Sequence, residues 1–182
     1  MDTEMSDEQE LISGCKRKDT LARKKLYELY APAMLGICVR YVAEKETARD
    51  ILHEGFIKVF TKIDSYSGAG SFEGWIRRIF VTSALEYIRS EKVFNGTINL
   101  DYCDEKGENC DTYIVEKLSA EEILHCINEL PTGFKTIFNL YAIEGYSHAE
   151  IAKMLNIQEA SSRSQFSRAR QLLQTKIQNL YK

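Results

Sequence analysis

The sequence predicts an all-α protein of two small helical domains joined by an acidic linker. Apolar residues recur at helical spacing along most of the chain, and several helix starts carry Ser with Glu or Gln three residues later. Only 2 of the 182 residues are proline, and no alternating polar and apolar run predicts a strand. We place the domains at 1–92 and 119–182 and the linker at 93–118, which has neither helical nor strand periodicity.

Charge is divided unevenly along the chain, whose formal net charge is −3. Residues 21–92 carry 12 basic and 9 acidic side chains, and residues 131–182 carry 7 and 3, whereas residues 93–130 carry 2 and 9. Two mildly basic blocks that flank an acidic connector suit two nucleic-acid-facing domains, although ordinary solvated surfaces give the same pattern.

The composition predicts a globular cytoplasmic protein, with 44% hydrophobic and 28% charged residues. The start of the chain lacks a signal-peptide pattern, and the apolar runs are too short for membrane insertion. The five cysteines lack CxxC spacing, so we expect reduced thiols and no metal site. His53, His125 and His148 lie in separate predicted helices without a nucleophile, so we expect no catalytic residue and no cofactor.

The first domain begins with a short helix that a capping box at Ser6 and Gln9 opens. A second helix, predicted to kink or break near Pro32, has the apolar stripe Leu26, Leu29, Tyr30, Ala33, Ile37 and Tyr41. Thr47 is the predicted N-cap of a third helix, whose stripe is Leu52, Phe56, Val59, Phe60 and Ile63.

Asp50, Glu54 and Lys58 form a polar ridge on this third helix, because they are spaced four residues apart. The ridge is either a protein-docking surface or an ordinary ion pair between Glu54 and Lys58. Spacing alone does not decide between the two.

A Ser- and Gly-rich turn at 64–72 precedes a fourth helix, at about 72–89, which has two faces. Its apolar face is Ile76, Phe80, Ala84, Tyr87 and Ile88. Its other face carries Trp75, Arg78, Thr82, Glu86 and Arg89. An aromatic ring among arginines suits unpaired bases and their phosphates, although Trp75 as a core residue would give the same pattern.

In the second domain, Ser119 with Glu122 opens one helix, and Pro131 opens the next, whose buried stripe is predicted to be Phe134, Ile137, Phe138 and Tyr141. Ser147 with Glu150 then begins a helix near His148 that ends at Asn156, a residue that tolerates the left-handed conformation. A last helix starts near Glu159, with Phe166, Ala169, Leu173 and Leu180 predicted to face inward.

These last two helices predict a helix-turn-helix, whose second helix enters the major groove of DNA. Its predicted outward residues, which can reach base edges or phosphates, are Ser161, Ser162, Arg163, Gln165 and Arg168. A plain helical hairpin with a solvated polar face is the alternative. Ser162 stands where the motif usually has an apolar residue of the hairpin core.

Two stretches resemble conserved regions of bacterial RNA polymerase sigma factors. Region 2 is similar to "ARDILHEGFIKVFTKID" with "SFEGWIRRIFVTSALEYIRS", and region 4 to "LPTGFKTIFNLYAIEGYSHAEIAKMLNIQEASSRSQFSRARQLL". With no domain between them, the chain resembles the extracytoplasmic-function (ECF) group of the sigma-70 family from about Glu10 to Leu173.

The resemblance implies a transcription initiation factor that binds core RNA polymerase and promoter DNA and that an anti-sigma factor restrains. The polymerase-docking residues would be Asp50, Glu54, Phe56 and Lys58. The loop at 65–71 would hold a flipped base of the −10 element, and the −10 contacts would be Tyr66, Ser67, Phe72, Trp75, Arg77, Arg78, Thr82, Glu86 and Arg89. The −35 contacts would be Ser147, His148, Ser161, Ser162, Arg163, Gln165, Arg168 and Arg170.

The residues that depart from what is common in the family are His53, Gly55, Val81, Ser162 and Gln165. The stretch "RSEK" at 89–92 is also less basic than the family's usual arginine run. The second hypothesis is a DNA-binding regulator that shares only the hairpin and acts without polymerase. Only the first hypothesis predicts tight binding to core polymerase through residues 47–63.

Overall fold

The computed structural model describes residues 2–91 and 119–180, and all regular structure within these two stretches is helical. The chain divides into two compact units, Met1–Tyr87 and Ile88–Lys182. The predicted linker at 93–118 lies outside the described residues. In chain order the α-helices are α1 (Asp2–Lys16), α2 (Thr20–Tyr41), α3 (Lys45–Lys62), α4 (Phe72–Ser90), α5 (Ala120–Asn128), α6 (Thr132–Phe138), α7 (His148–Leu155) and α8 (Glu159–Asn179).

Three details of the first helices differ from the sequence predictions. The first helix begins at Asp2 rather than at Ser6. The second runs unbroken through Pro32; the side chains of Tyr30 and Met34 on either side are buried, so packing offsets the missing N–H. Helix α3 begins at Lys45, ahead of the predicted cap at Thr47.

The core of the first unit depends on a close approach between α3 and α4. Gly55 lies against the ring of Phe80, and a Cβ atom at Gly55 would lie only 2.3 Å from Phe80 Cε1. The same ring packs edge-on against Phe56, with 5.2 Å between the centroids. Glycine at position 55 is therefore a packing requirement of this chain, which explains its departure from the family pattern.

The predicted capping box between Ser119 and Glu122 is present at the start of α5 in the second unit. Pro131 is the N-cap of α6, one residue before the helix. A π-helical turn at Asn139–Ile143 then follows α6 directly.

The π-helical turn changes which residue faces the core, because its wider turn rotates the residues that follow. Leu140 is fully buried, and Tyr141 is 40% exposed. The prediction that Tyr141 belongs to the buried stripe is therefore wrong, whereas it is correct for Phe134 and Ile137.

Helix α8 packs along the second unit through one face. Its Leu173 and Ile177 join Cys126 and Ile127 of α5 in an apolar cluster. Leu180 was predicted to face inward but is 51% exposed, because it follows the end of α8. In residues 2–91 and 119–180, no helix is long and apolar enough to cross a lipid bilayer.

Candidate nucleic-acid and polymerase interfaces

Helix α4 separates an apolar face from a polar face, as its sequence predicts. Ile76, Phe80 and Ala84 are fully buried. The opposite face borders an open groove of about 190 Å³ between α3 and α4. The polar and aromatic residues that line this groove are Lys58, Lys62, Trp75, Arg78, Thr82, Ser83 and Glu86.

Trp75 lies at the edge of this groove within a cluster of three aromatic rings. Its indole stacks on the ring of Phe72 at 5.6 Å with an interplanar angle of 13°. Tyr66 contacts both rings, with centroid distances of 5.6 Å to Trp75 and 5.0 Å to Phe72. Trp75 is partly exposed, and Phe72 is fully buried. Phe72 therefore has no surface open to DNA in this structure, and its ring packs beneath that of Trp75.

The loop that precedes α4 has a defined shape. Gly68 and Gly70 adopt φ angles of 82° and 83°, a backbone conformation that residues other than glycine rarely adopt. The hydroxyl of Tyr66 donates to the carbonyl of Gly70 at 2.8 Å, and the Lys16 ammonium donates to the carbonyl of Tyr66 at 3.0 Å. Ser67 is exposed on this loop. The backbone and Tyr66 thus hold the segment in place beside Trp75.

The remaining predicted −10 residues lie along α4. Arg78, Thr82, Glu86 and Arg89 are exposed, and Arg77 is partly exposed. The Thr82 hydroxyl donates to the carbonyl of Arg78 at 2.8 Å, which fixes its rotamer.

Lys58 points from α3 across the groove to α4. Its ammonium lies 2.6 Å from a carboxylate oxygen of Glu86 and 3.1 Å from the hydroxyl of Ser83. The ion pair between Glu54 and Lys58 that spacing allows is therefore not the contact that Lys58 makes. Lys62 lines the same groove one turn later, a contribution that sequence reasoning missed although four-residue spacing after Lys58 signals it.

The predicted docking ridge on α3 is only partly exposed. Asp50 and Glu54 are exposed, but Phe56 is 3% exposed and packs against Tyr27 with 4.6 Å between ring centroids. Phe56 therefore has no surface open to a partner in this structure, because its position belongs to the apolar stripe of α3. Ile57, which was not predicted, is 65% exposed beside Glu54.

Residues 148–179 form the predicted helix-turn-helix. Ser147 and Glu150 make a reciprocal capping box at the start of α7. Asn156 ends α7 in the left-handed conformation, with φ 55° and ψ 48°. The N–H of Ile157 then donates to the carbonyl of Ala152 at 3.0 Å, which closes the turn before α8.

Two residues of α8 that were predicted to face outward lie in the interior. Ser162 is fully buried and Gln165 is 6% exposed. The buried face of α8 includes both positions, so their predicted orientation is wrong. The hydroxyl of Ser162 meets Nδ1 of His148 at 2.9 Å, which satisfies a polar group where the motif usually has an apolar one.

His148 occupies a defined position at the start of α7. Its ring stacks on Tyr141, with centroids 4.2 Å apart and planes 12° apart, and meets the edge of Phe166 at 5.8 Å. Burial lowers the pKa of this imidazole; the positive charge of Arg163 lowers it further, and Glu159 opposes both. Folding therefore disfavours the charged form of this ring.

The other predicted −35 residues are accessible. Arg163 and Arg170 are exposed, and Ser161 and Arg168 are partly exposed. Arg163 makes an ion pair with Glu159, one turn earlier on α8. The accessible face of α8 thus carries cations and hydroxyl groups, which are the groups that contact phosphates and base edges.

Comparison with known proteins connects both surfaces to one family. Residues 26–93 match the family description "Sigma-70 region 2", and residues 120–173 match "Sigma-70, region 4". The chain is 30% identical to the ECF RNA polymerase sigma-E factor of Haemophilus influenzae over 189 aligned positions, which cover 97% of this chain and 98% of that protein. It is 24% identical to the RNA polymerase sigma-H factor of Pseudomonas aeruginosa, with 95% of each chain covered.

A solved structure has a similar fold. It is that of the sigma factor RpoE of Bartonella quintana in complex with the anti-sigma factor NepR. Its TM-score is 0.54 at 18% sequence identity, and the match covers 85% of this chain and 96% of that one.

Proposed function

This chain belongs to the extracytoplasmic-function group of the sigma-70 family, and from that membership we propose that it binds core RNA polymerase and directs it to specific promoters. Both sigma-70 regions lie on one chain in the family's order, and the chain matches its relatives over nearly its whole length. This observation carries the assignment. The chain would act by binding alone, without chemistry of its own.

The first unit would bind the −10 element as a single strand. Trp75 has a partly exposed ring beside the cations of the groove. Unpaired bases stack on such rings, and cations bind their phosphates. The proposed contacts of this unit are Tyr66, Ser67, Trp75, Arg77, Arg78 and Thr82, with Glu86 at the groove's edge. Arg89, farther along α4, is a further proposed −10 contact. The loop at 65–71 would hold one flipped base.

Trp75 can be tested by its effect on promoter opening. We expect Trp75→Ala to impair the melted complex more than the closed complex, because base stacking on an aromatic ring contributes roughly 1–3 kcal/mol per base. Permanganate reactivity of melted thymines measures opening, and a gel shift with duplex promoter measures closed binding. Trp75→Phe is the matched control, because it retains a ring against Phe72. Normal permanganate reactivity in the alanine variant would count against the assignment.

Polymerase would dock on the exposed ridge of α3, at Asp50 and Glu54. The double variant Asp50→Arg/Glu54→Arg should lose retention by core polymerase in a pull-down, since both charges reverse on one face. Glu10→Arg makes the same kind of change at an exposed position of α1 and should be retained. Equal retention of both variants would remove this ridge from the docking surface.

The hairpin of the second unit would read the −35 element in duplex form. Helix α8 would enter the major groove by its first turns, as second helices of such motifs do. The proposed contacts are Ser147, His148, Ser161, Arg163, Arg168 and Arg170.

An anti-sigma factor is the proposed protein partner, by analogy with the family and with the complex of the Bartonella quintana protein. Such a partner would restrain the chain by competing with core polymerase. A pull-down in which a candidate anti-sigma protein displaces core polymerase from this chain would support the analogy, and simultaneous binding of both would oppose it.

The alternative, a regulator that acts without polymerase, is not favoured, because it leaves the region 2 match unexplained. Transcription in vitro with core polymerase on a promoter library separates the two functions. We expect added chain to select start sites that core polymerase alone does not use. Absence of any selected start site would overturn the proposed function.

A further inference from the structure

An ion pair connects α3 to α4 at the edge of the groove. The Lys58 ammonium has two partners on α4, the Glu86 carboxylate at 2.6 Å and the Ser83 hydroxyl at 3.1 Å. Ser83 is 4% exposed, so its hydroxyl is a fixed point. Lys58 is therefore held on the groove side of α3.

The pair contributes little to holding the two helices together. The side chains of Lys58 and Glu86 are 32% and 54% exposed, and ion pairs this accessible are weak because water and salt screen them. The approach of Gly55 to Phe80 and the contact of Phe56 with Phe80 already join α3 to α4. The main effect of the pair is therefore on the charge of the groove and not on the stability of the two helices.

The charges in the groove supply that effect. Lys62 and Arg78 line it as cations, which suits a phosphate backbone, whereas the Glu86 carboxylate on the same wall would repel phosphates. An ammonium 2.6 Å from that carboxylate cancels most of its field at the distance of a bound strand.

We propose that Lys58 is a positioning residue of the nucleic-acid groove, which neutralises Glu86 and holds it against α4 so that unpaired DNA can enter. Lys58 then serves DNA binding rather than polymerase docking. The ligand is the sugar-phosphate backbone of a single strand, and the inference rests on the proposed function. In this proposal, the ion pair between Lys58 and Glu86 is what keeps this wall of the groove from repelling DNA.

The test is a double-mutant cycle in holoenzyme reconstituted with core polymerase. The variants are Lys58→Met, Glu86→Gln, the double Lys58→Met/Glu86→Gln, and Lys58→Arg as the charge-conserving control. Fluorescence anisotropy measures the affinity for a fork DNA, a duplex with a single-stranded extension. A pull-down measures retention by polymerase.

We expect Lys58→Met to weaken fork binding by about tenfold, more at low salt than at high salt, because an uncovered carboxylate then faces the phosphates. Glu86→Gln should tighten fork binding, and the double variant should regain most of the affinity that Lys58→Met loses. Lys58→Arg should bind as the unmodified chain does. All four variants should be retained by polymerase.

Two outcomes would overturn the inference while the proposed function stands. If the double variant binds as weakly as Lys58→Met, Lys58 acts on DNA directly and not through Glu86. If Lys58→Met loses polymerase retention as Asp50→Arg/Glu54→Arg is expected to do, Lys58 is a docking residue. Failure of unmodified holoenzyme to bind fork DNA better than core polymerase would instead reject the proposed function.

Discussion

His148 Nδ1 lies 2.9 Å from the hydroxyl of Ser162, so a hydrogen bond joins the first residue of α7 to the buried face of α8. This bond replaces the apolar contact that the hairpin motif usually has at this position. It lies next to Arg163, one of the proposed −35 contacts. The pair therefore couples the stability of the hairpin to the placement of its second helix.

Breaking this pair from one side should cost stability, and replacing both partners should not. His148→Phe keeps a ring against Tyr141 but leaves the Ser162 hydroxyl buried without a partner, a loss of about 1–3 kcal/mol. Adding Ser162→Val to His148→Phe should recover most of that loss. Urea unfolding measures both variants, and additive effects of the two substitutions would contradict the coupling.

Stability should depend on pH through His148. Because folding lowers the pKa of His148, the unfolded chain binds more protons there once the pH falls below the ordinary value of about 6.5. The free energy of unfolding should therefore decrease as the pH falls through that value. Urea unfolding between about pH 5 and pH 7.5 should give a shallower dependence for His148→Phe than for the unmodified chain. Parallel curves would exclude His148 as the source.

Gly55→Ala should destabilise the first unit by about 1–3 kcal/mol, because the added methyl group would overlap the Phe80 ring. Gly36→Ala is the matched control: it also lies inside a helix, but the nearest atom to its added Cβ is Arg40 Nη1 at 3.9 Å. The control should gain about 0.5–1 kcal/mol from helix propensity. Thermal unfolding compares the two. Recovery of Gly55→Ala by Phe80→Leu would locate the overlap, and equal gains for both alanines would contradict it.

Arg163 should contribute to promoter affinity more than its local ion pair suggests. Arg163→Ala should weaken −35 binding by roughly 1–3 kcal/mol if it reads a base, with a salt-dependent part if it contacts a phosphate. Glu159→Gln should have the opposite sign, since it removes the carboxylate that pairs with Arg163. Gel shifts at two salt concentrations measure both variants. Wild-type affinity for Arg163→Ala would remove it from the interface.

The sequence predicts helix caps and turns well where the residues that form them are close together in the chain. The capping boxes at Ser119 and Ser147 and the left-handed Asn156 involve residues close in sequence, so spacing was enough to predict them. Helix α4 was predicted nearly to the residue because its two faces differ strongly in polarity.

The errors about which residues are buried arise where tertiary packing decides. The π-helical turn that exposes Tyr141 has no signal in the spacing of apolar residues. Ser162 and Gln165 are polar, so their composition predicts exposure, and only the packing of the second unit shows that they are buried. Phe56 and Phe72 illustrate the converse, because these large rings lie near the proposed binding surfaces but are buried in the core.

The sequence also did not predict ion pairs between residues that are distant along the chain. The four-residue spacing of Glu54 and Lys58 suggested a contact within α3, but the partner of Lys58 is Glu86, 28 residues away. Sequence proximity alone could not decide between these two carboxylates. The choice follows from the side of α3 that packs against α4.

The aromatic cluster around Trp75 makes the protein an optical reporter of its own state. Trp75 is the only tryptophan of the chain, and its indole stacks on Phe72 and contacts Tyr66 at the edge of the groove. Indole emission responds to solvent and to a stacked neighbour, so a ligand in the groove or a displaced Tyr66 loop should change both intensity and wavelength. Ligand entry could thus be followed in the isolated chain in real time without attaching a dye.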